Sequence, residues 1–313
     1  QMCIRDRSSD MKIQFSSDSL KVTHQNNDYE LHPIWLRERL PGYDYVDKDT
    51  NQRLYEPSSI KLDLQIKTAK IFEEKLDIEF NDGAKGKYNI KDLLTEFDND
   101  KNKRGPLPKR LLWNSDLKVF PSVEFEENMA EKVSMYRLLE DFYKYGFVII
   151  KNVPAKNQYL LKFVRFIGPV KVTNFGEYFD VMSKPKPNDL AYKPIALPPH
   201  TDNPYRKPAA PGIQFLHCLK SEVSGGFSTL VDGFAVADYI KIYNPEAFES
   251  LTKTNLRYQF QDKDIILENW GELIELDKEG DYKQVRYSTR VDYVPPIAVS
   301  YTHLRAHETV LDL

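Results

Sequence analysis

The stretch EFDNDKNKRGPLPKR, residues 96–110, constrains the architecture of this chain more than any other segment. Acidic and basic residues crowd it, Phe97 and Leu107 are its only large apolar side chains, and Gly105, Pro106 and Pro108 punctuate it. A segment of this kind does not build a hydrophobic core. It reads as a linker, and the 313 residues are expected to form two folded bodies around it.

The first body is expected at 11–105, small and rich in β-structure. KIQFSS (12–17), SIKLDLQI (59–66) and KLDIEFNDG (75–83) carry β-formers, and the last ends in an Asp-Gly turn. Ile60, Leu62, Leu64 and Ile66 alternate as in a half-buried strand. In the second body, Met129, Val133, Tyr136, Leu139 and Tyr143 recur at helical spacing, which predicts a helix over 129–145 ended by Gly146. FVII (147–150) follows as a strand, and QYLLKFVRFIG (158–168) as a second helix. Residues 170–232 read as strands between Pro- and Gly-rich turns. NPEAFESLTK (244–253) reads as a short helix with Asn244 as its cap and Pro245 in its first turn, and more strands follow to about 294. The mixture suggests a β-barrel core with flanking helices.

Composition narrows the classes of function. The formal net charge is −3 with the two signs interspersed, which is no nucleic-acid footprint. Runs such as GFVII (146–150) are too short to span a membrane, and the N-terminus carries no signal-peptide pattern. Two cysteines, Cys3 and Cys218, do not make a disulfide framework, so a reducing cytoplasm is the expected compartment.

LPPHTDNPYRKP (197–208) places His200 and Asp202 one residue apart in a chain with six histidines. On a strand, residues two apart share a face, so an imidazole nitrogen and a carboxylate oxygen can meet one metal ion. Two histidines and one carboxylate bind iron(II) on one face and leave positions open for oxygen and a chelating cosubstrate. A His-x-Asp tripeptide alone is weak evidence, and a surface turn closed by Asp202 and Asn203 is the bland alternative. His217, in GIQFLHCL (212–219), competes for the third position, but it reads as a core residue of a buried strand. Asp232, in LVDGF, reads as a turn residue or helix cap.

The flanking sequence, NDLAYKPIALPPHTDNPYRKPAAPGIQFLHCLKSEVSGGFSTLVDGFAVA (188–237), resembles the γ-butyrobetaine dioxygenase and trimethyllysine dioxygenase family of iron(II)- and 2-oxoglutarate-dependent oxygenases, which are TauD/TfdA-like. VTNFGEYFDV (172–181), HPIWLRERL (32–40) and VRYSTRVDYVPP (285–296) share the likeness, which runs from about residue 30 to 296. The resemblance implies an α+β protein: a double-stranded β-helix (jelly-roll) catalytic domain over 120–297 behind the small N-terminal domain. It places His200 and Asp202 on the first two metal ligands. Phe175, Phe179 and Tyr192 fall where relatives set aromatic rings around a trimethylammonium group, a cation that donates no hydrogen bond and is held by ring faces. Asp189 is a candidate for meeting a cationic substrate, and Ser228 for a hydroxyl near the cosubstrate. The cofactors implied are iron(II), 2-oxoglutarate and ascorbate as reductant. The implied reaction is hydroxylation of a small trimethylammonium substrate, first γ-butyrobetaine to carnitine. Trimethyllysine, a trimethylammonium phosphonate, or non-catalytic binding of a quaternary ammonium are the alternatives. Neither nucleic acid nor membrane is an expected partner, and a homodimer is the one self-association considered.

Two departures from the family qualify this. Many relatives hold a structural zinc through cysteines after the WLR segment, whereas WLRERLPGYDYVDKD (35–49) has no cysteine, so no zinc is expected there. After DYVPP the family continues with strands that carry the distal histidine ligand and an arginine for 2-oxoglutarate. Residues 298–313, with His303, Arg305 and His307, resemble none of that, and residues 1–10 look equally foreign. The jelly roll is therefore expected to be incomplete at its C-terminus, the third ligand absent, and the chain as written inactive.

Overall fold

The structure, a computed structural model, describes residues 4–5, 11–101, 107–187, 189–207, 212–222 and 224–296. Its contacts divide the chain into two compact units, Gln1–Leu107 and Pro108–Leu313.

The first unit is built on two antiparallel sheets. One joins β1 (Ile4–Arg5), β2 (Lys12–Phe15), β3 (Leu20–His24) and β4 (Asn27–Leu31) in sequence order. Helix α1 (Pro33–Glu38) follows, capped by His32. The second sheet joins β5 (Ile66–Phe72), β6 (Lys75–Phe80) and β7 (Lys85–Asn89). Leu76, Ile78 and Phe80 of β6 are buried while Lys75 and Asp77 face solvent, the period of two that its sequence announces. Ile13, Leu20, Val22, Leu31 and Leu36 complete this core. At the turns β3–β4 and β5–β6, Gln25–Asn26 and Glu73–Glu74 take positive φ, the conformation that two-residue hairpins need.

Two sequence expectations fail here. SIKLDLQI does not form one strand. A 3-10 turn covers Pro57–Ser59, Leu62 is 91% exposed, and the ladder begins only at Ile66. Burial of Leu64 and Ile66 against the first sheet, with Ile66 N–H donating to Ser17 O at 2.8 Å, outweighs the alternation of the four residues. Nor is 96–101 a linker. It is the second half of helix α2 (Ile90–Lys101), anchored at its start by Asn89 and by buried Ile90, Leu93 and Leu94. Its acidic residues meet a cationic and aromatic partner face. Arg39 donates to Glu96 at 2.8 Å and to Asp100 at 2.7 Å, Trp35 donates to Asp100 at 2.7 Å, and Tyr29 donates to Asp98 at 3.2 Å.

The second unit is mixed α/β with small sheets. Strand β8 (Ser122–Glu124) pairs in parallel with β9 (Ile149–Lys151), and helix α3 (Val133–Tyr145) lies between them in sequence. Gly146, at φ 77°, closes α3 in the left-handed conformation expected of a C-cap glycine. The predicted helix over 158–168 shortens to α4 (Tyr159–Val164). Helices α5 (Gly233–Tyr243) and α6 (Pro245–Lys253) have the caps read from the sequence: Asp232 accepts from the Phe234 and Ala235 N–H groups, and Asn244 from that of Ala247. Strand β10 (Asn255–Gln261) pairs with β11 (Ile266–Glu272) and, on its other edge, with β14 (Asp292–Tyr293). A separate ribbon joins β12 (Ile274–Leu276) to β13 (Tyr282–Val285). Leu256, Tyr258 and Phe260 alternate inward from β10 onto Ala237, Ile240 and Leu251.

The strands expected over 170–232 do not form among the described residues. A 3-10 turn at Leu190–Tyr192 and an isolated bridge between Thr173 and Gly176 are the regular structure there. Pro169, Pro185, Pro187, Pro194, Pro198, Pro199 and Pro204 each remove a backbone donor, which breaks any long ladder. The GIQFLHCL segment, expected as a buried strand, leaves Ile213, Leu216, Leu219 and Cys218 exposed. A two-sheet jelly roll is accordingly not laid out among the described residues. Cys3 and residues 298–313 lie outside them. No helix of the described residues is long and apolar enough to cross a membrane.

Candidate active site

His200 and Asp202 do not lie on a strand, yet their side chains meet. Thr201 between them is tied to the segment before β14: its N–H donates to Tyr287 O at 2.6 Å, and Tyr287 N–H donates back to Thr201 Oγ1 at 2.9 Å. With Thr201 held this way, the flanking side chains share a face. His200 Nε2 stands 3.1 Å from Asp202 Oδ1. His200 Nδ1 donates to Pro198 O at 2.8 Å, and Gln214 Nε2 donates to Asp202 Oδ2 at 2.8 Å. One nitrogen and one carboxylate oxygen therefore converge, while the other atom of each group is held by an outer partner. Ligating histidines and carboxylates show this pattern, which fixes ring orientation and leaves the ligating atom directed at the ion.

Electrostatics agree with the geometry. The bond to Asp202 raises the His200 imidazole above its usual range, against the opposing effect of burial. The same bond, aided by Gln214 and by the positive charges of His200 and Arg290, holds the Asp202 carboxyl below its usual range despite burial. An anionic carboxylate beside an imidazole that gives up a proton to a metal is a fitting donor pair for iron(II). Among the described residues, no group of three His, Cys, Asp or Glu side chains is assembled for a metal. His303 and His307 lie outside those residues. His217 carries a buried Nε2 without a hydrogen-bond partner among the described residues, but it does not line the cavity described next.

A cavity of about 590 Å³ opens beside the pair. Six of the seven residues singled out from the sequence line it: Phe175, Phe179, Asp189, Tyr192, His200 and Asp202. The rings of Phe175 and Phe179 lie 5.5 Å apart, and Phe175 also meets Phe260 edge-on at 6.0 Å. Tyr192 is buried, and Lys184 Nζ sits 3.7 Å from its ring centroid, so this ring already carries a cation on one face. Burial raises the Tyr192 hydroxyl, with a smaller contribution from the charge of Asp189. Asp189 caps the short turn that carries Tyr192, its Oδ1 accepting from Ala191 N–H at 2.8 Å.

Ser228 is not brought to this cavity. It is exposed, in a segment that follows Gly225 and Gly226 at φ 99° and 68°. Sequence reasoning did not single out Gln214, Arg290, Tyr205 or Arg206, all of which line the cavity. Arg290 lay within the quoted VRYSTRVDYVPP segment, and Gln214 within GIQFLHCL, but neither carries a local signal of its role. Tyr205 stacks on Phe260 at 5.2 Å, and burial pushes its hydroxyl up to about 12.

Residues 114–302 match the sequence profile of the family described as taurine catabolism dioxygenase TauD, TfdA family. The chain is 30% identical over 258 residues to the mitochondrial trimethyllysine dioxygenase of Bos taurus, covering 82% of this chain and 59% of that protein. It is 28% identical over 259 residues to the gamma-butyrobetaine dioxygenase of Pseudomonas sp. (strain AK-1), covering 82% of this chain and 67% of that protein. The human gamma-butyrobetaine dioxygenase is 28% identical over 282 residues, with 86% and 71% covered. The chain thus spans less than two thirds of the trimethyllysine dioxygenases it matches.

Proposed function

The chain belongs to the taurine catabolism dioxygenase TauD, TfdA family, and on that premise we propose that it serves iron(II)- and 2-oxoglutarate-dependent hydroxylation of a small trimethylammonium substrate. The single observation that carries the proposal is the converging His200–Asp202 pair beside a cavity lined by Phe175, Phe179 and Tyr192. His200 Nε2 and Asp202 Oδ1 would hold the metal, with Gln214 and the Pro198 carbonyl keeping them aimed. Iron(II) and 2-oxoglutarate, when bound, would supply with oxygen the oxidising power for hydroxylation of a C–H bond, with succinate and CO₂ as coproducts. The protein's own part is to hold the substrate cation against ring faces and to keep water from the reacting carbon. γ-Butyrobetaine is the first candidate substrate and trimethyllysine the second. A jelly-roll framework for this unit follows from the family.

Among the described residues two protein donors converge, and a site of two donors binds a metal weakly. The test is succinate release with iron(II), ascorbate and 2-oxoglutarate, with and without each trimethylammonium compound. It is run on this chain and on a version extended by the C-terminal residues of the Bos taurus trimethyllysine dioxygenase. Stimulation by a trimethylammonium compound supports the reading. No stimulation in either protein overturns it.

A further inference from the structure

The segment that carries His200 and Asp202 has no strand ladder of its own, so other elements must hold it in place. Before Asp202 the hold is the exchange of hydrogen bonds between Thr201 and Tyr287. After Asp202 the chain turns at once. Asn203 takes φ 54°, in the left-handed region, and Arg206 N–H donates to Asn203 O at 3.1 Å, which closes a four-residue turn. Tyr205 OH donates to Asn203 Oδ1 at 2.7 Å within the same turn. A side chain from a distant strand grips this turn. Asn269 Nδ2 donates to Pro204 O at 3.2 Å and to Arg206 O at 3.0 Å, so both hydrogens of its amide are committed there.

Asn269 sits on β11 between Leu267 and Gly271, on the buried face of that strand, and is 4% exposed. Its cross-strand neighbour on β10 is Tyr258, which is fully buried. An apolar side chain is the ordinary occupant of such a place, because a buried amide costs stability unless it is paired. The pairs that Asn269 makes go to the turn beside the metal-ligand candidates, more than sixty residues away in sequence. We infer that Asn269 is a positioning residue for the metal pair: it fixes the turn that follows Asp202, and through the turn the carboxylate that faces His200 Nε2. This rests on the metal reading of His200 and Asp202 given above. Thr201 and Asn269 then hold the two ends of the segment, and the β10–β11 hairpin sets the ligand spacing. His200 Nε2 and Asp202 Oδ1 stand 3.1 Å apart, and such donors serve one ion only when held within about 0.5 Å of their productive geometry.

Anaerobic iron(II) titration of the full 313-residue chain by calorimetry tests this, beside urea unfolding without metal. The proteins compared are the unaltered chain, His200→Ala, Asn269→Leu and Asp232→Ala. Leucine has nearly the shape of asparagine and donates no hydrogen bond. Asp232→Ala removes the cap of α5 and is the control for lost stability alone. Asn269→Leu is expected to weaken iron(II) binding about tenfold, the lower end for outer partners of metal ligands, while Asp232→Ala leaves it unchanged. Unchanged iron affinity in Asn269→Leu, or an equal loss in Asp232→Ala, overturns the positioning role and leaves the metal reading standing. No iron binding by the unaltered chain, or binding that His200→Ala does not weaken, overturns both. If Asn269→Leu does not fold by circular dichroism, Asn269→Ser, smaller and able to donate once, takes its place under the same criteria.

Discussion

Replacing Gln214 with leucine is expected to weaken metal binding about tenfold while leaving the fold intact. Gln214 donates to Asp202 Oδ2 at 2.8 Å, which leaves Oδ1 as the oxygen directed at His200 Nε2 and at a metal between them. Leucine keeps the bulk of the side chain and removes the donor, so the carboxylate is free to rotate and its Oδ2 loses a charge-assisted bond. Outer partners of metal ligands are worth about 10–100-fold in metal affinity. Gln214 is exposed, so water replaces part of the lost bond and the lower end applies, about tenfold or ~1.4 kcal/mol. Exposure also sets the control: stability without metal should change by no more than about 0.5 kcal/mol. The assay is anaerobic iron(II) titration by calorimetry, beside urea unfolding of the metal-free chain. Unchanged iron affinity in Gln214→Leu would refute the assignment of Gln214 as a positioning residue. A loss of stability equal to the loss in affinity would show that the substitution acts through the fold.

Tyr192→Ala should weaken binding of the trimethylammonium group, but because Tyr192 is 3% exposed it should also cost about 3–5 kcal/mol of stability, so Tyr192→Leu, read by calorimetry beside urea unfolding, is the cleaner probe. Asp232→Ala should destabilise the second unit by about 1–2 kcal/mol in urea unfolding, because Asp232 caps α5 and also accepts from Trp113 N–H at 3.0 Å. Gly271→Ala should be destabilising by about 1–3 kcal/mol in the same assay, since an added Cβ would lie 2.8 Å from the Arg286 guanidinium carbon, which is buried and held by Glu275. Burial works to raise the Glu275 carboxyl, yet Lys283 and Arg286 outweigh it and hold the group below its ordinary 4.5. Its contribution is therefore present above about pH 4.5 and fades as pH falls through the lower folded value. Glu275→Gln should flatten stability against pH in that acid window, and an unchanged acid limb in a pH series of melting curves would refute it.

What the amino-acid sequence determined by itself was local. The caps Asp232 and Asn244 and the stop at Gly146 were readable because each is closed by hydrogen bonds within a turn, and the alternation in KLDIEF because successive strand side chains point to opposite faces. Phe175, Phe179, Asp189 and Tyr192 were singled out only through the resemblance, while residue chemistry alone singled out His200 and Asp202 and left them open to a turn reading; the structure brings these six to one cavity. Tertiary structure decided the rest. The acidic residues of 96–101 became half of a helix because Arg39, Trp35 and Tyr29 stand opposite them, which no local pattern encodes. SIKLDLQI kept only Ile66 as strand because sheet pairing is settled by partners elsewhere in the chain. Gln214 reaches Asp202 across twelve residues and Arg290 approaches Asp189 from a distant segment, neither of which a local pattern encodes. Charge and hydrogen-bond complementarity is a property of pairs. A chain read one residue at a time shows each member of the pair, and folding supplies the distance that makes it act.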